Sequence, residues 1–294
     1  MNIDIGGSVT TEAEGSSYPV WVGLKGSGNT VNANIQGSLN AFKKNADDPE
    51  KVTGIKILHT KGTNNTVNIS VGDGIVSDGH GIALIHEDQS NASPDPEDNR
   101  NTVIVTGDVR AKGAGIYADT PYHSVVVVDG TLSGGTAPAQ LGTQVNDNLT
   151  LAAWKIEPDQ NGAYIIGADG KRDTEAEKNI LYCIRVNQPV IGAVLSTEGT
   201  TDVEGYACAP AGDTVYLVGD MMKGYQMVTA YWDEDLQKAM TEDGANRFCM
   251  TVPEGGGVTM TAVLQRIDKP QCVAPDYTVD IDRSEHFDSW IPVD

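Results

Sequence analysis

Basic residues are scarce. Lys and Arg number 20 against 41 Asp and Glu, a net charge of −21; so acidic a surface repels a phosphate backbone and excludes nucleic acid as a partner. Long apolar runs are missing as well. Stretches such as Val125-Val126-Val127-Val128 fall far short of the roughly 20 residues a membrane helix requires, so no membrane span is expected. Only 3 Phe occur in 294 residues, and the core must therefore be built from small and β-branched side chains. The four cysteines, Cys183, Cys208, Cys249 and Cys272, include no CxxC pair and lack the spacing of a zinc site. Isolated thiols and one or two disulfides both fit, with reduced structural thiols expected at this chain length. No Gly-x-Ser-x-Gly elbow, phosphate loop or dinucleotide fingerprint is found. Residues 1–7 carry neither the basic start nor the apolar stretch of a secretion leader, and leave export open.

What is abundant is glycine, and it is unevenly spread: 20 of the 33 Gly precede residue 150, whereas 12 of the 17 aromatic residues follow it. Two different cores are implied. In the first half Asn29-Thr30-Val31, Asn65-Thr66-Val67 and Asn101-Thr102-Val103 recur at a 36-residue interval, with weaker relatives at His123-Ser124-Val125 and Asp147-Asn148-Leu149. Each opens a period-two strand, with Val31/Ala33/Ile35, Val67/Ile69/Val71, Val103/Val105, Val125/Val127 and Leu149/Leu151 as the inward residues. A Gly follows at 37, 72, 107 and 130. A second motif alternates with the first: Gly54-Ile55, Gly81-Ile82 and Gly115-Ile116, with Val22-Gly23-Leu24 as a worn copy.

Short strands in constant order, with loop insertions such as residues 93–98, are the pattern of stacked coils that bury their inner faces only against one another. The expected fold class is all-β: a right-handed parallel β-helix of about four to five coils, followed by a small antiparallel β module. An antiparallel sandwich is the competing architecture, supported by Asp73-Gly74, Asp78-Gly79 and Asp129-Gly130 as hairpin turns. The expected divisions are the β-helix over 1–153, a capping and bridging segment over 154–204, the module over 205–266 and an acidic extended tail over 267–294. Within the bridge, Thr174-Glu175-Ala176-Glu177 offers a capping-box start for one short helix.

The module reads from Val215/Leu217, Phe248/Met250/Val252 and Val258/Met260/Ala262 as one buried face, with Gly224 and Gly255-Gly256-Gly257 as turns. Its motifs, Gly212-Asp213-Thr214-Val215-Tyr216-Leu217, Gly224-Tyr225, Tyr231-Trp232, Phe248-Cys249-Met250-Thr251-Val252-Pro253 and Val258-Thr259-Met260-Thr261-Ala262-Val263, resemble the bacterial repeat domain of surface proteins, the divergent internalin B-repeat-like module. The chain departs from that pattern in placing Thr251-Val252 before Pro253 and in an insertion around residues 233–246. The resemblance implies a spacer or adhesion module. Together with the stacked coils, the whole chain resembles β-helical, adhesin-like surface proteins of bacteria, which implies an extracellular or cell-surface location.

Candidate sites follow from the coil register. Gln36, Asp73, Asp108 and Asp129 are expected near one corner, with Arg110, Asp78 and His80 close by in sequence. Three carboxylates there, Asp73, Asp108 and Asp129, would suit Ca²⁺, which takes roughly six to eight oxygen ligands, and Arg110 would then act as base in polysaccharide β-elimination. Solvated turn aspartates are the plainer account. Gly79-His80-Gly81-Ile82 resembles the His-Gly element of polygalacturonase-type hydrolases, although the paired aspartates and basic triplet are absent. Asn29, Asn65 and Asn101 are expected to form an amide ladder ending at His123, and His59, His86 and Thr120 a second column whose imidazoles are neutral and hydrogen-bonded rather than metal-binding.

Ile104, Val126 and Val128 are expected on the outside under the cover of residues 151–200. Trp21, Trp154, Trp232 and Trp290 are candidates for sugar stacking or for plain packing. Glu12/Glu14 and Asp233/Glu234/Asp235 read as solvated faces. The expected function is a non-enzymatic adhesion, binding or scaffold module without a cofactor, its partner an extracellular carbohydrate or protein. The alternative is a calcium-dependent β-helical polysaccharide lyase or glycoside hydrolase, using Asp73, Asp108, Asp129, Arg110 and His80.

Overall fold

The computed structural model describes residues 1–44, 51–87, 95–145 and 148–267. Its strands come first in sets of three: β1 (Asn2–Ile5), β2 (Val9–Ala13), β3 (Val20–Lys25); β4 (Thr30–Ile35), β5 (Leu39–Lys43), β6 (Thr53–Lys61); β7 (Asn65–Val71), β8 (Ile75–Ser77), β9 (His80–His86); β10 (Asn99–Val105), β11 (Val109–Ala111), β12 (Ala114–Asp119). Then follow β13 (His123–Gly134), β14 (Ala137–Leu141), β15 (Leu149–Ile156), β16 (Ile165–Ile166), the helix α1 (Thr174–Glu177) and β17 (Leu181–Cys183). Every third strand returns to the same sheet. One parallel series runs β1-β4-β7-β10-β13-β15-β17, a second β2-β5-β8-β11-β13, and a third β3-β6-β9-β12-β14-β16. The pairing is parallel throughout these series, so the hairpin alternative is overturned. The arrangement is that of an all-β protein with large parallel sheets, compatible with a β-helix.

The interior is made of the small branched residues that the scarcity of Phe demanded. Ile35, Val105 and Val128 from the first series, Leu39, Ile75, Val109 and Leu132 from the second, and Ile55, Ile82 and Ile116 from the third are fully buried. Their contact explains the Gly-Ile motif. A Cβ on Gly81 would lie 2.6 Å from Val109 Cγ1, and one on Gly115 would lie 2.7 Å from Leu132 Cδ1. Gly54 stands in the same relation to Ile75. The third sheet passes so close to the second-sheet core at this corner that only a hydrogen side chain fits beside a β- or γ-branched neighbour.

Register corrects three expectations. First, the amide ladder runs Asn29–Asn65–Asn99. Asn65 pairs with Asn99, while Asn101 lies beside Val67 and Ser124. The third copy slips by two residues after a 3-10 turn at Pro96–Asp98, and a slip of two keeps every side chain on its own face. The ladder therefore does not end at His123, whose partner is Arg100. Second, Val126 and Val128 point into the core, whereas Val125 is half-buried and Val127 joins an outer cluster. The Asn-Thr-Val alignment at His123 is one position out of phase, and an odd shift exchanges the faces. Third, the N-cap of α1 is Asp173, whose side chain accepts from the Ala176 N–H, rather than Thr174.

The chain continues with β18 (Arg185–Asn187), β19 (Ala193–Glu198), β20 (Thr201–Val203), β21 (Tyr206–Pro210), β22 (Thr214–Met221), β23 (Tyr225–Tyr231), β24 (Thr241–Glu242), β25 (Arg247–Thr251) and β26 (Thr259–Arg266). Two small sheets, β18-β26-β23 and β19-β22-β25-β24, enclose Leu195, Val215, Leu217, Met227, Phe248, Met250 and Met260. All their pairs are antiparallel except β18 with β26. The hairpin β20–β21 belongs instead to the large sheet, through antiparallel pairing of β21 with β17. Strand pairing therefore crosses residue 205 in both directions. At residues 255–257 the second unit meets the first: Ile156 N–H donates to Gly255 O at 2.9 Å, Gly257 N–H to Trp154 O at 2.7 Å, and Trp154 Nε1 to Val258 O at 3.1 Å. The three glycines are a docking segment as well as a turn. Asp147 and the tail beyond 267, with Cys272, His286 and Trp290, lie outside the described residues.

Candidate functional site

The outer face of the first sheet is a polar array. In β1, β4 and β7 the alternate residues Asn2, Asp4, Asn32, Asn34, Asn68 and Ser70 are exposed, and their backbones are about 4.8 Å apart as in any sheet. Asn68 Nδ2 donates to Asn32 Oδ1 and Asn32 Nδ2 to Asn2 Oδ1, both at 2.9 Å; Asn34 Nδ2 donates to Asp4 Oδ1 at 3.0 Å. Around the first turn, Ser38 Oγ bonds Ser8 Oγ at 3.1 Å and Asn40 Nδ2 bonds Thr10 Oγ1 at 3.2 Å. These bonds run along the stacking direction and hold each amide at a set angle, leaving its remaining donor or acceptor to solvent.

The three aspartates occupy different steps of one turn. Ile35, Val71, Val105 and Val128 align at the end of the first series, and Leu39, Ile75, Val109 and Leu132 at the start of the second. The turn between them has three residues, and Asp129 is the first, Asp73 the second and Asp108 the third. They share one corner, as expected, but at different steps of the turn rather than in a single column. Gln36 shares the first position with Asp129.

Two of the three carboxylates have separate partners. Asp108 Oδ1 accepts from Thr131 N–H at 2.7 Å and Oδ2 from Arg110 at 2.7 Å. Partial burial opposes its ionisation, but these bonds outweigh that and lower its pKa. Asp129 Oδ1 accepts from Arg185 Nε at 3.0 Å, and Arg185 lies on the Trp154 ring at 4.2 Å. Asp73 is exposed. His80 Nδ1 accepts from the Ala114 N–H at 3.1 Å and its ring stacks on Tyr117, so it serves the backbone of the next level. Among the described residues no three His, Cys, Asp or Glu side chains gather in a way that could hold a metal.

The imidazole column takes the expected register. His59 pairs with His86, and Thr120 follows at the next level. Both rings meet Tyr122 edge-on at 5.0 Å. His59 Nε2 lies 2.8 Å from Asn101 Oδ1, Asn101 Nδ2 donates to Ser124 Oγ, and Ser124 donates to Tyr122 O. With Asn101 Nδ2 committed to Ser124, its Oδ1 is left to accept, which puts a proton on His59 Nε2. Burial lowers its pKa, the Asn101 bond works against that, and nearby His86 lowers it further.

As pH falls through 6.5 the unfolded chain takes up the proton first, so stability is full above that pH and is lost toward the folded-state pKa. The loss is expected to reach at most about 1.4 kcal/mol per pH unit. Urea midpoints of wild type and His59→Asn between about pH 7.5 and 5 check this: their difference should change with pH, and parallel curves would count against it.

The tryptophans divide. Trp154 is covered by Arg185 and Trp232 by Lys238, while Trp21 is 62% exposed on β3 and lies across Gly23. Concavities among the described residues include one of about 840 Å³ at the end of the stack between Leu149, Leu151, Ile165, Ile180 and Lys178, one of about 400 Å³ flanked by Asp78, Arg110, Lys112 and Glu157, and one of about 330 Å³ flanked by Tyr164, Arg172, Glu177, Tyr182 and Glu254. In the last, burial pushes the Tyr182 hydroxyl up to about 12, and Glu177 Oε1 accepts from the N–H groups of Tyr164 and Ile165 and from Arg172 Nε. These bonds tie the strand end to the helix. Against protein-family models, curated proteins and solved structures alike, the chain has no match.

Proposed function

We propose that the chain is a non-enzymatic, extracellular or cell-surface binding or scaffold module of a bacterium. In this reading the parallel sheets form a right-handed β-helix of about four to five coils, and the second unit is a divergent bacterial-repeat domain of adhesin-like proteins. The observation that carries the reading is the ladder of Asn2, Asn32 and Asn68 beside Asp4, Asn34 and Ser70. It is a flat, pre-ordered set of amides and hydroxyls, suited to an extended partner with its own repeat of hydroxyl groups, such as a polysaccharide. Trp21 offers an exposed ring on a neighbouring sheet for apolar contact with a sugar face. Two of the carboxylates that a lyase would use are engaged elsewhere, Asp108 by the Thr131 N–H and Arg110 and Asp129 by Arg185.

The test is a binding screen of the full chain against extracellular polysaccharides, with uronate-containing glycans assayed for new unsaturated ends with and without a chelator. Retention without turnover is expected, weakened at least about fivefold when Asn32 and Asn68 are both changed to Ala. Chelator-sensitive turnover that disappears in Asp108→Ala would replace this reading with the calcium-dependent lyase. An absence of retention on any glycan would leave no support for carbohydrate as the partner.

A further inference from the structure

The outer face of the first sheet turns apolar beyond β7. Ile104, Val125, Val127 and Ala152 form a stripe there, in one cluster with Trp154, Leu181, Cys183, Val203, Tyr206 and Cys208. The cover comes from farther along the chain than residues 151–200. It is the hairpin β20–β21, which leaves β17 and reaches back until the Tyr206 side chain bonds Thr106, just past β10. The sequence pattern exposes the need for a cover but not its source, because the hairpin is short and its partner strand is antiparallel.

Two thiols sit where the hairpin leaves the sheet. Cys183 and Cys208 are direct cross-strand partners, their sulfurs 3.2 Å apart, and they are 2% and 0% exposed. One residue along, Ile184 N–H donates to Ala207 O at 2.7 Å. That makes Ile184/Ala207 the hydrogen-bonded pair and Cys183/Cys208 a non-hydrogen-bonded pair, the type in which side chains approach most closely. Such a pair has Cα atoms about 4.5 Å apart, within the span of about 4.4–6.8 Å that a disulfide bridges. Cys249, by contrast, lies on β25 opposite Tyr216.

We propose that Cys183 and Cys208 close a structural disulfide that fastens the hairpin over the apolar stripe. The oxidant is a low-molecular-weight disulfide or an oxidoreductase in its disulfide form. Its S–S bond breaks and accepts two electrons and two protons from the two thiols, leaving as two thiols while one S–S bond forms in the chain. Burial orders the events. The thiols meet the oxidant before the hairpin closes; once it is closed, the hydrogen bond with Cys208 and burial hold the Cys183 thiol protonated and unreactive. The bond joins positions 25 residues apart and removes freedom from the unfolded chain. This inference is independent of the binding reading above.

The full chain is refolded in mixed oxidised and reduced glutathione, alkylated in denaturant, digested and mapped by mass. A linked peptide pair carrying Cys183 and Cys208, with Cys249 alkylated, is expected. Melting should occur about 5–10 °C higher than in reductant. Cys183→Ser and Cys208→Ser should each abolish that difference, and Cys249→Ser should keep it. Full alkylation of Cys183 and Cys208 after oxidative refolding, or linkage of either to Cys249 or Cys272, overturns the proposal. Should the Ser variants fail to fold, the wild-type peptide map decides it alone.

Discussion

Alanine at Gly107 is expected to remove at least about 3 kcal/mol of stability and to lower the melting temperature by about 6–12 °C, whereas alanine at Gly7 should change stability by less than about 0.5 kcal/mol. The two residues hold the same middle position of the turn between the first and second series, at different levels of the stack. Beneath Gly7 nothing lies within 4 Å of an added Cβ; at Gly107 that atom would overlap the carbonyl oxygen of Asp73. Gly107 does not have a left-handed φ, so the cost is one of stacking and not of dihedral preference. A backbone carbonyl cannot move aside as a side chain would, because the chain on either side of it is tied down, by Asp73 N–H to Gly37 O and by Ile75 N–H to Asp108 O. Parallel calorimetric or urea unfolding of the two variants is the measurement. Equal midpoints for them would mean that the turns are not packed on one another as described.

Gly256→Ala is expected to cost about 3 kcal/mol as well, with a different signature. Gly256 has φ +69°, a left-handed conformation that a Cβ strains, and that Cβ would overlap Tyr182 Cδ1 and lie 2.5 Å from Trp154 O. The substitution therefore presses the docking segment away from β15 and loosens the bonds from Gly257 N–H to Trp154 O and from Trp154 Nε1 to Val258 O. Gly212→Ala is the control, since φ is +89° there but nothing lies within 4 Å; only the conformational cost of about 1 kcal/mol should appear. Unfolding midpoints separate strain from overlap, and a change in tryptophan fluorescence should accompany only Gly256→Ala. If both variants lose the same stability, the contact between the two units is not what the glycine serves.

Much of the architecture was legible in single residues. Period-two alternation in Val31/Ala33/Ile35 and Val67/Ile69/Val71 marked strands whose inward residues are indeed buried, and Gly54, Gly81 and Gly115 marked a corner where the structure leaves no room for a Cβ. The His59/His86/Thr120 column also followed from equal offsets after those glycines. The aspartate corner was not legible in the same way. Asp73, Asp108 and Asp129 each neighbour a glycine, yet a three-residue turn has three positions and motif spacing does not say which one each fills. Likewise the Asn-Thr-Val interval placed Asn101 in a ladder that Asn99 occupies, because the strand resumes at Asn99, directly after the 3-10 turn at Pro96–Asp98 and two residues ahead of the motif.

The amino-acid order by itself determined the strand period, the branched and ring-poor core, the acidic surface and the alternation of two glycine motifs, since these depend on local sterics and on burial summed over many residues. Tertiary structure decided the rest: that Asp129 meets Arg185, that β20–β21 covers Ile104 and Val127, and that Cys183 faces Cys208. The first and last of these join positions 56 and 25 residues apart. They depend on the summed lengths of every turn between them, and one residue more or less in any turn would turn a side chain to the opposite face.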